Sequence, residues 1–76
     1  MRELVDYLVS QIITRDSYDI IEAEDGTIVE IRVIVDSDKM GRIIGRSGRL
    51  AKAIRTIVRA AAQDSDKSYD VVITER

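Results

Sequence analysis

The chain has 76 residues, with 12 Lys or Arg against 14 Asp or Glu, and it contains neither Cys nor His. A chain this short holds one domain with a small core, so we expect residues 1–76 to form a single domain without a deep enclosed active site. Without Cys and His, the usual metal ligands and the usual general base are missing, so we expect no enzyme, metal or cofactor. No apolar run approaches the roughly 20 residues that span a bilayer, which predicts a soluble, cytoplasmic protein without membrane insertion.

The first half of the chain predicts a helix followed by a β-hairpin. Arg2 to Arg15 has apolar residues at helical spacing, which predicts an amphipathic helix ended by Asp16-Ser17. Tyr18 to Glu24 is rich in β-branched and aromatic residues and predicts a strand. Asp25-Gly26 suits a type I′ turn. The partner strand alternates, with Glu30 and Arg32 on one face; the residues expected on the buried face are Val29, Ile31, Val33 and Val35.

The second half predicts two helices and a closing strand. Ser37 or Asp38 is expected to cap a short helix from Met40 to Ile44. A turn at Gly45 to Gly48 separates it from a longer helix that begins at Arg49. The apolar residues of that helix, which should pack inward, are Leu50, Ile54, Ile57, Val58 and Ala61, and the cations expected nearly opposite are Arg49, Lys52, Arg55 and Arg59. After a polar loop at residues 64–67, Tyr69 to Thr74 predicts a strand.

These elements give the order α-β-β-α-α-β. A three-stranded sheet backed by three helices buries the apolar faces of both. The hairpin pairs its two strands antiparallel, and the last strand, reached through a two-helix crossover, is expected to lie parallel to the second. The predicted fold class is therefore α+β with a mixed sheet.

Charge is strongly segregated along the chain. Residues 39–59 contain seven basic residues and no acid, whereas the other 55 residues contain five basic residues and fourteen acids. A local basic stretch of this kind is typical of a surface that holds a phosphate backbone. The acidic remainder is open to two interpretations, because it can serve solubility alone or provide a docking face for a basic partner.

The Gly45-Arg46-Ser47-Gly48 turn lies at the centre of the basic stretch. Glycines remove the Cβ atoms that would keep a sugar-phosphate backbone away from the main chain, and the following helix N-terminus favours an anionic oxygen. Ile43 and Leu50 are expected to form an apolar wall beside the turn, with Ile44 and Ile54 in the core. The residues predicted to contact a sugar-phosphate backbone are Arg42, Ile43, Gly45, Arg46, Ser47, Gly48, Arg49 and Lys52.

With these residues in this order, the chain resembles the KH family, whose hallmark I-G-x-x-G turn is matched by Ile44 to Gly48. The order α-β-β-α-α-β is similar to the bacterial type II arrangement, and the size is similar to its stand-alone members. The resemblance implies a protein that holds about four nucleotides of single-stranded RNA between the turn and an adjacent strand. It places the side chains of Val33 to Val35, or their backbone, against base edges. It also implies RNA chaperoning or post-transcriptional regulation connected with cell shape, with a second KH protein or as a homodimer.

Other interpretations of the same residues remain open or fail. The glycines can simply allow two helices to meet, and Arg55 and Arg59 can belong to a solvated helix face. The functional surface can instead be a dimer or protein-interaction face on a KH fold that binds RNA weakly or not at all. A nucleotide-binding phosphate loop is excluded, because Gly41 to Ser47 is one residue short of that motif and lacks its Lys.

Overall fold

A computed structural model describes residues 1–76 and confirms the order α-β-β-α-α-β. The helices and strands are α1 (Arg2–Ser10), β1 (Tyr18–Asp25), β2 (Ile28–Val35), α2 (Met40–Ile44), α3 (Arg49–Ala61) and β3 (Ser68–Glu75). Three short 3₁₀ turns, at Arg15–Ser17, Ser37–Lys39 and Arg46–Gly48, connect them. None of the helices is long and apolar enough to cross a membrane.

The three strands form one mixed sheet in the order β1-β2-β3, as the sequence predicts. β1 and β2 pair antiparallel, and β2 and β3 pair parallel. Because parallel neighbours cannot be joined by a tight hairpin, the chain crosses over between them, and α2, the glycine turn and α3 make up that crossover. The basic stretch therefore lies within the connection from β2 to β3.

The core forms between the sheet and the helices. Alternation along β2 places Val29, Ile31, Val33 and Val35 on the helix side, where all four are buried as predicted. The adjacent positions Ile20 on β1 and Ile73 on β3 flank Val33 across the sheet. The helices supply the other buried layer, which contains Val5, Val9, Ile43, Ile54 and Val58. Burying a side chain of this size contributes about 1.5–3 kcal/mol, so β2 is the principal apolar element of the fold.

Helix α1 ends at Ser10, five residues before the predicted end. The amides of Ile12 and Ile13 still donate to the Val9 carbonyl, at 2.9 and 3.0 Å, but Thr14 is extended with ψ 151°. This change of direction lets Ile13 enter the core and brings the chain back toward β1. The Ser17 hydroxyl then closes a 3₁₀ turn by donating to the Thr14 carbonyl at 2.6 Å. Ile13 lies in the loop after α1 but is still buried, so the apolar spacing in the sequence continues beyond the end of the helix.

Two local predictions about turns and caps are wrong. The hairpin loop is Gly26-Thr27, since Asp25 pairs with Ile28, and only Gly26 has positive φ (62°). A type I′ turn needs positive φ at both central positions, so the loop is of another type. Neither Ser37 nor Asp38 caps α2 with its side chain, because a 3₁₀ turn at Ser37–Lys39 leads directly into the helix.

The C-terminal residue fastens the ends of all three strands. The Arg76 amide donates to the Val35 carbonyl at 2.7 Å, and its guanidinium donates to Asp36 at 2.6 Å and to Asp19. Hydrogen bonding to Asp19 and then to Asp36 raises the pKa of Arg76. Both carboxylates lie outside the basic stretch, so this cation is neutralised locally.

Tyr18, at the start of β1, fixes α1 against the sheet. Its hydroxyl donates to the Asp6 carboxylate at 2.5 Å and lies 3.2 Å from the Asp6 carbonyl. Arg15 donates to the same carboxylate at 3.0 Å. Burial, followed by the hydrogen bond to Asp6, raises the pKa of Tyr18 to about 12. The neutral phenol is therefore favoured in the folded state.

Replacing Tyr18 should change how stability depends on alkaline pH. The pKa of Tyr18 is raised on folding, so its contribution is complete below about pH 10, the ordinary tyrosine value, and is lost as pH rises toward about 12. The free energy of unfolding, measured with urea, should fall more across that window for wild type than for Tyr18→Phe. At pH 7 the variant should be about 1 kcal/mol less stable, because it lacks the bond to Asp6. Parallel pH profiles for the two proteins would contradict this assignment.

Candidate nucleic-acid interface

The turn between α2 and α3 has an unusual backbone. Gly45 ends α2 with φ 75° and ψ −178°, Ser47 has φ 55°, and Gly48 has φ 73° at the N-cap of α3. Ser47 is the only non-glycine residue in the chain with positive φ. Such a conformation costs a Ser of the order of 1 kcal/mol, and it persists here because the flanking helices fix it. The turn is therefore held in one shape rather than being a loose loop.

The two glycines are needed for different reasons. A Cβ built on Gly45 would lie 2.9 Å from Leu50 Cγ and 3.1 Å from the Leu50 backbone nitrogen, closer than real Cβ contacts. A Cβ on Gly48 would meet no atom within 4 Å. Gly45 thus permits the close approach of α2 to α3. Gly48 permits a left-handed backbone and leaves open space in front of it.

The structure brings most of the predicted contact residues to the surface around this turn. Arg46 and Ser47 are exposed at its tip, and Gly45 and Gly48 are half-buried on either side. Arg49 and Lys52 are exposed on the first turn of α3. Arg42 is exposed on α2, where it lines a cleft with the loop after α1. Seven of the eight predicted residues are thus wholly or partly accessible.

The eighth residue, Ile43, does not form a groove wall. It is fully buried in the core, and Ile44, predicted to be core, is partly buried and packs against that core. The 3₁₀ turn before α2 sets the rotation of this five-residue helix, and that rotation points Ile43 at the sheet. Ile54 is buried as predicted, and Leu50 is 38% exposed beside the turn, where an apolar wall was expected.

The strand that packs against α3, the helix after the turn, is β3. Val33 and Val35 lie on the central strand, paired on both sides and fully buried, so they cannot meet base edges. β3 is an edge strand that packs against α3. Arg55 of α3 crosses this junction and donates from Nε to the Val71 carbonyl at 3.1 Å. Any crevice between the turn helices and the sheet is therefore bounded by Arg55 and β3.

Burial along α3 also differs from the sequence prediction. Ala51, Ile54 and Val58 form its buried face, while Ile57 is 43% exposed. The inward face is thus turned toward Ala51, which leaves Leu50 and Ile57 on a flank. Arg55 consequently lies on the opposite flank, beside β3. The sequence predicts Arg55 nearly opposite the apolar face, whereas in the structure its guanidinium reaches the Val71 carbonyl of β3.

Cations divide into two groups by their partners. The side chains that form ion pairs are Arg15, Arg32, Lys67 and Arg76, and all four lie outside residues 39–59. None of the seven basic residues within 39–59 has a carboxylate oxygen within 4.0 Å; Arg2 is the one other unpaired basic side chain. The fold therefore leaves the positive charge of residues 39–59 free of internal carboxylates and available to an anion from outside.

The side chains show no cluster that could hold a metal ion and no unsatisfied buried polar group. No group of three or more His, Cys, Asp or Glu is placed to hold a metal ion. Every buried side-chain nitrogen or oxygen has a hydrogen-bond partner. The accessible features are the free cations, the open backbone at Gly48 and the half-exposed Leu50. Together they can hold a polyanion that also presents an apolar surface, which is the chemistry of a nucleic-acid strand.

Comparison with known proteins agrees with this chemistry. Residues 2–73 match the model of the family described as "KhpA/KhpB, KH domain". An RNA-binding protein KhpA of Listeria monocytogenes serovar 1/2a is 36% identical over 76 residues, which cover 99% of this chain and 100% of the relative. The RNA-binding protein KhpA of Borreliella burgdorferi is 34% identical, over 96% of this chain and 90% of the relative. A third, from Leifsonia xyli subsp. xyli, is 49% identical over 47 residues, or 62% of this chain and 59% of the relative.

The match extends through the elements that build the turn. It includes the hairpin, α2, α3 and all but the last residues of β3. The type II topology, with β3 parallel to β2 across a two-helix crossover, is what the order of elements predicts. The chain therefore belongs to the KhpA/KhpB family of KH-domain proteins.

Proposed function

We propose that this protein binds a short stretch of single-stranded RNA through the Gly45 to Gly48 turn, without catalysis. The observation that carries the proposal is that none of the seven basic residues of 39–59 is ion-paired, including Arg46, Arg49 and Lys52 at the turn, in a protein whose other cations are mostly paired. RNA binding by the family relatives supports the ligand class. We further propose that residues 1–76 act as one domain in the cytoplasm.

The geometry supports a backbone grip more than base recognition. Arg46 and Ser47 lie at the exposed tip of the turn, and Gly48 leaves room for a phosphate to approach the main chain. Exposed aromatic surface is scarce: the chain has three Tyr, and Tyr18 is buried in the core. Binding by stacking on several rings is therefore not available. A grip of this kind suits a chaperone or regulator that acts on many RNAs, and we propose that class of role.

A salt series tests the proposal directly. With three or four phosphates neutralised, a plot of log affinity against log salt should have a slope of about −2 to −3, since each phosphate of a single strand contributes about −0.7. The measurement is fluorescence anisotropy of labelled four- and ten-nucleotide oligouridylate and oligoadenylate at several salt concentrations. An affinity that does not change with salt concentration, or no binding at low salt, would contradict the proposal.

A protein partner is a second proposal, favoured by the exposed flank of α3. Ile57 is 43% exposed there, and Ala53, Ala60 and Ala61 are exposed near it. An apolar helix flank in a small protein marks a candidate interaction surface. We propose that a second copy or another KH protein covers it. Self-association without any RNA binding would make this interaction role the principal function instead.

A further inference from the structure

A second basic cleft lies outside the turn, between the end of α1 and the start of α2. It measures about 210 Å³. The residues that line it are Ser10, Gln11, Ile12, Ile13, Thr14, Lys39 and Arg42. Lys39 precedes α2, and Arg42 lies on its exposed side. This lining combines two cations with three polar uncharged side chains and contains no carboxylate.

The cations of this cleft are free, in contrast to those of a neighbouring one. Neither Lys39 nor Arg42 has a carboxylate oxygen within 4.0 Å. The cleft lined by Arg2 and Arg15 contains Asp6 and Asp19, and Arg15 is paired with Asp6 at 3.0 Å. Near Lys39, the carboxylate of Asp36 is held by Arg76. The neighbouring acids without an ion-pair partner are the exposed Asp38 and Asp16, and neither lines the cleft, so its lining carries a net positive charge.

The uncharged groups of the cleft can complete an anion site. The Gln11 amide and the Thr14 hydroxyl make only contacts of 3.5 Å, at the limit of hydrogen bonding, so both can turn toward a ligand. The C-terminus of α1 carries partial negative charge, which disfavours an anion nearby. Its Leu8 and Val9 carbonyls, however, accept hydrogen bonds from the amides of Gln11 and Ile12, which reduces this effect. Two cations with two neutral donors match the acceptor oxygens of a phosphate.

The position of the cleft connects it with the turn. Lys39 precedes Gly45 by six residues, which is about 9–10 Å along a helical path. Phosphates of one stacked strand are about 3.4 Å apart along the axis, so a strand held at the turn reaches the cleft within a few nucleotides. We propose that this cleft binds a backbone phosphate of the same RNA strand, beyond the nucleotides held at the turn. The proposal rests on the proposed RNA-binding function.

RNA length separates the cleft from the turn. Lys39→Gln should bind a four-nucleotide oligouridylate within about twofold of wild type and a ten-nucleotide one about tenfold more weakly, the loss expected for one charged hydrogen bond. Its salt slope on the longer RNA should fall by about 0.7, the share of one phosphate. Thr14→Glu, which adds a negative charge with both cations intact, should give the same selective loss. Arg2→Gln removes an unpaired cation elsewhere and should leave both RNAs unaffected.

Three other outcomes of this experiment would contradict the cleft site or the proposed function. If both cleft variants bind the longer RNA like wild type, the RNA proposal is overturned, and another anion, such as an acidic protein segment, becomes the candidate ligand. If both RNAs lose affinity equally, Lys39 belongs to the turn site and no separate site exists. If wild type binds neither RNA, the proposed function itself fails. Circular dichroism of each variant checks that the fold is retained.

Discussion

Gly45→Ala should lower the free energy of unfolding by about 2–4 kcal/mol, because two penalties act at once. Gly45 has φ 75° and ψ −178°, a region that is almost exclusive to glycine. The added Cβ would also lie 2.9 Å from Leu50 Cγ and 3.1 Å from the Leu50 backbone nitrogen. The backbone contact cannot be relieved by a rotamer change. Urea unfolding followed by circular dichroism measures the loss.

Gly48→Ala is the matched control. Gly48 has a similar φ of 73°, but its Cβ would meet no atom within 4 Å. Only the left-handed backbone penalty of about 1–2 kcal/mol applies. Leu50→Ala in the Gly45→Ala background should recover part of the loss, because it removes Cγ but not the backbone nitrogen. Equal losses for the two glycine variants would show that the contact with Leu50 does not matter.

Arg46→Asp with Ser47→Asp should weaken binding of single-stranded RNA by at least about a hundredfold, equivalent to about 2.7 kcal/mol. The change removes a free cation and places two carboxylates at the tip of the turn. Both side chains are exposed, and Asp tolerates the left-handed backbone of Ser47, so the fold should persist. Anisotropy with oligouridylate, alongside circular dichroism, separates loss of binding from loss of structure.

A double variant with the same change in charge controls for long-range electrostatics. Arg2→Asp with Thr27→Asp also removes one cation and adds two acids, but both residues are exposed and lie outside the basic stretch. It should weaken RNA binding only several-fold at moderate salt, where exposed charges more than about 10 Å apart are screened. Comparable losses in the two double variants would mean that RNA responds to overall charge. Unchanged binding in the turn variant would remove the turn from the site.

The fold was largely predictable because its patterns are long. Eight residues of β2 alternate without error, and thirteen residues of α3 keep one helical period. Short elements were less predictable. Five residues of α2 do not complete two turns, so the sequence cannot set the rotation of this helix, and Ile43 lies in the core instead of at the predicted groove wall. The end of α1 was missed because Ile13 continues the apolar spacing although it is buried from a loop.

The candidate site was predictable in its chemistry but not in its surroundings. The basic stretch and the glycine turn can be found in the sequence because their residues are contiguous. Which side chains of a strand are accessible depends on long-range pairing: β2 is the central strand, and the side chains of Val33 and Val35 are buried, away from the base edges that the resemblance assigned to them. The contrast between free and paired cations depends on ion pairs distant in sequence, such as Lys67 with Glu24 and Arg76 with Asp19. No local pattern reveals such pairs.

The placement of the turn inside the crossover has a consequence for synthesis on the ribosome. Residues 39–59 leave the ribosome before β3, the strand on which α3 packs. Parallel pairing of β2 with β3 closes a loop across the whole crossover, and such non-local contacts form late. A nascent chain that ends before Ser68 carries every cation of the proposed site but lacks the edge strand that holds α3 in place. The proposed RNA site therefore reaches its folded geometry only after β3 has been translated.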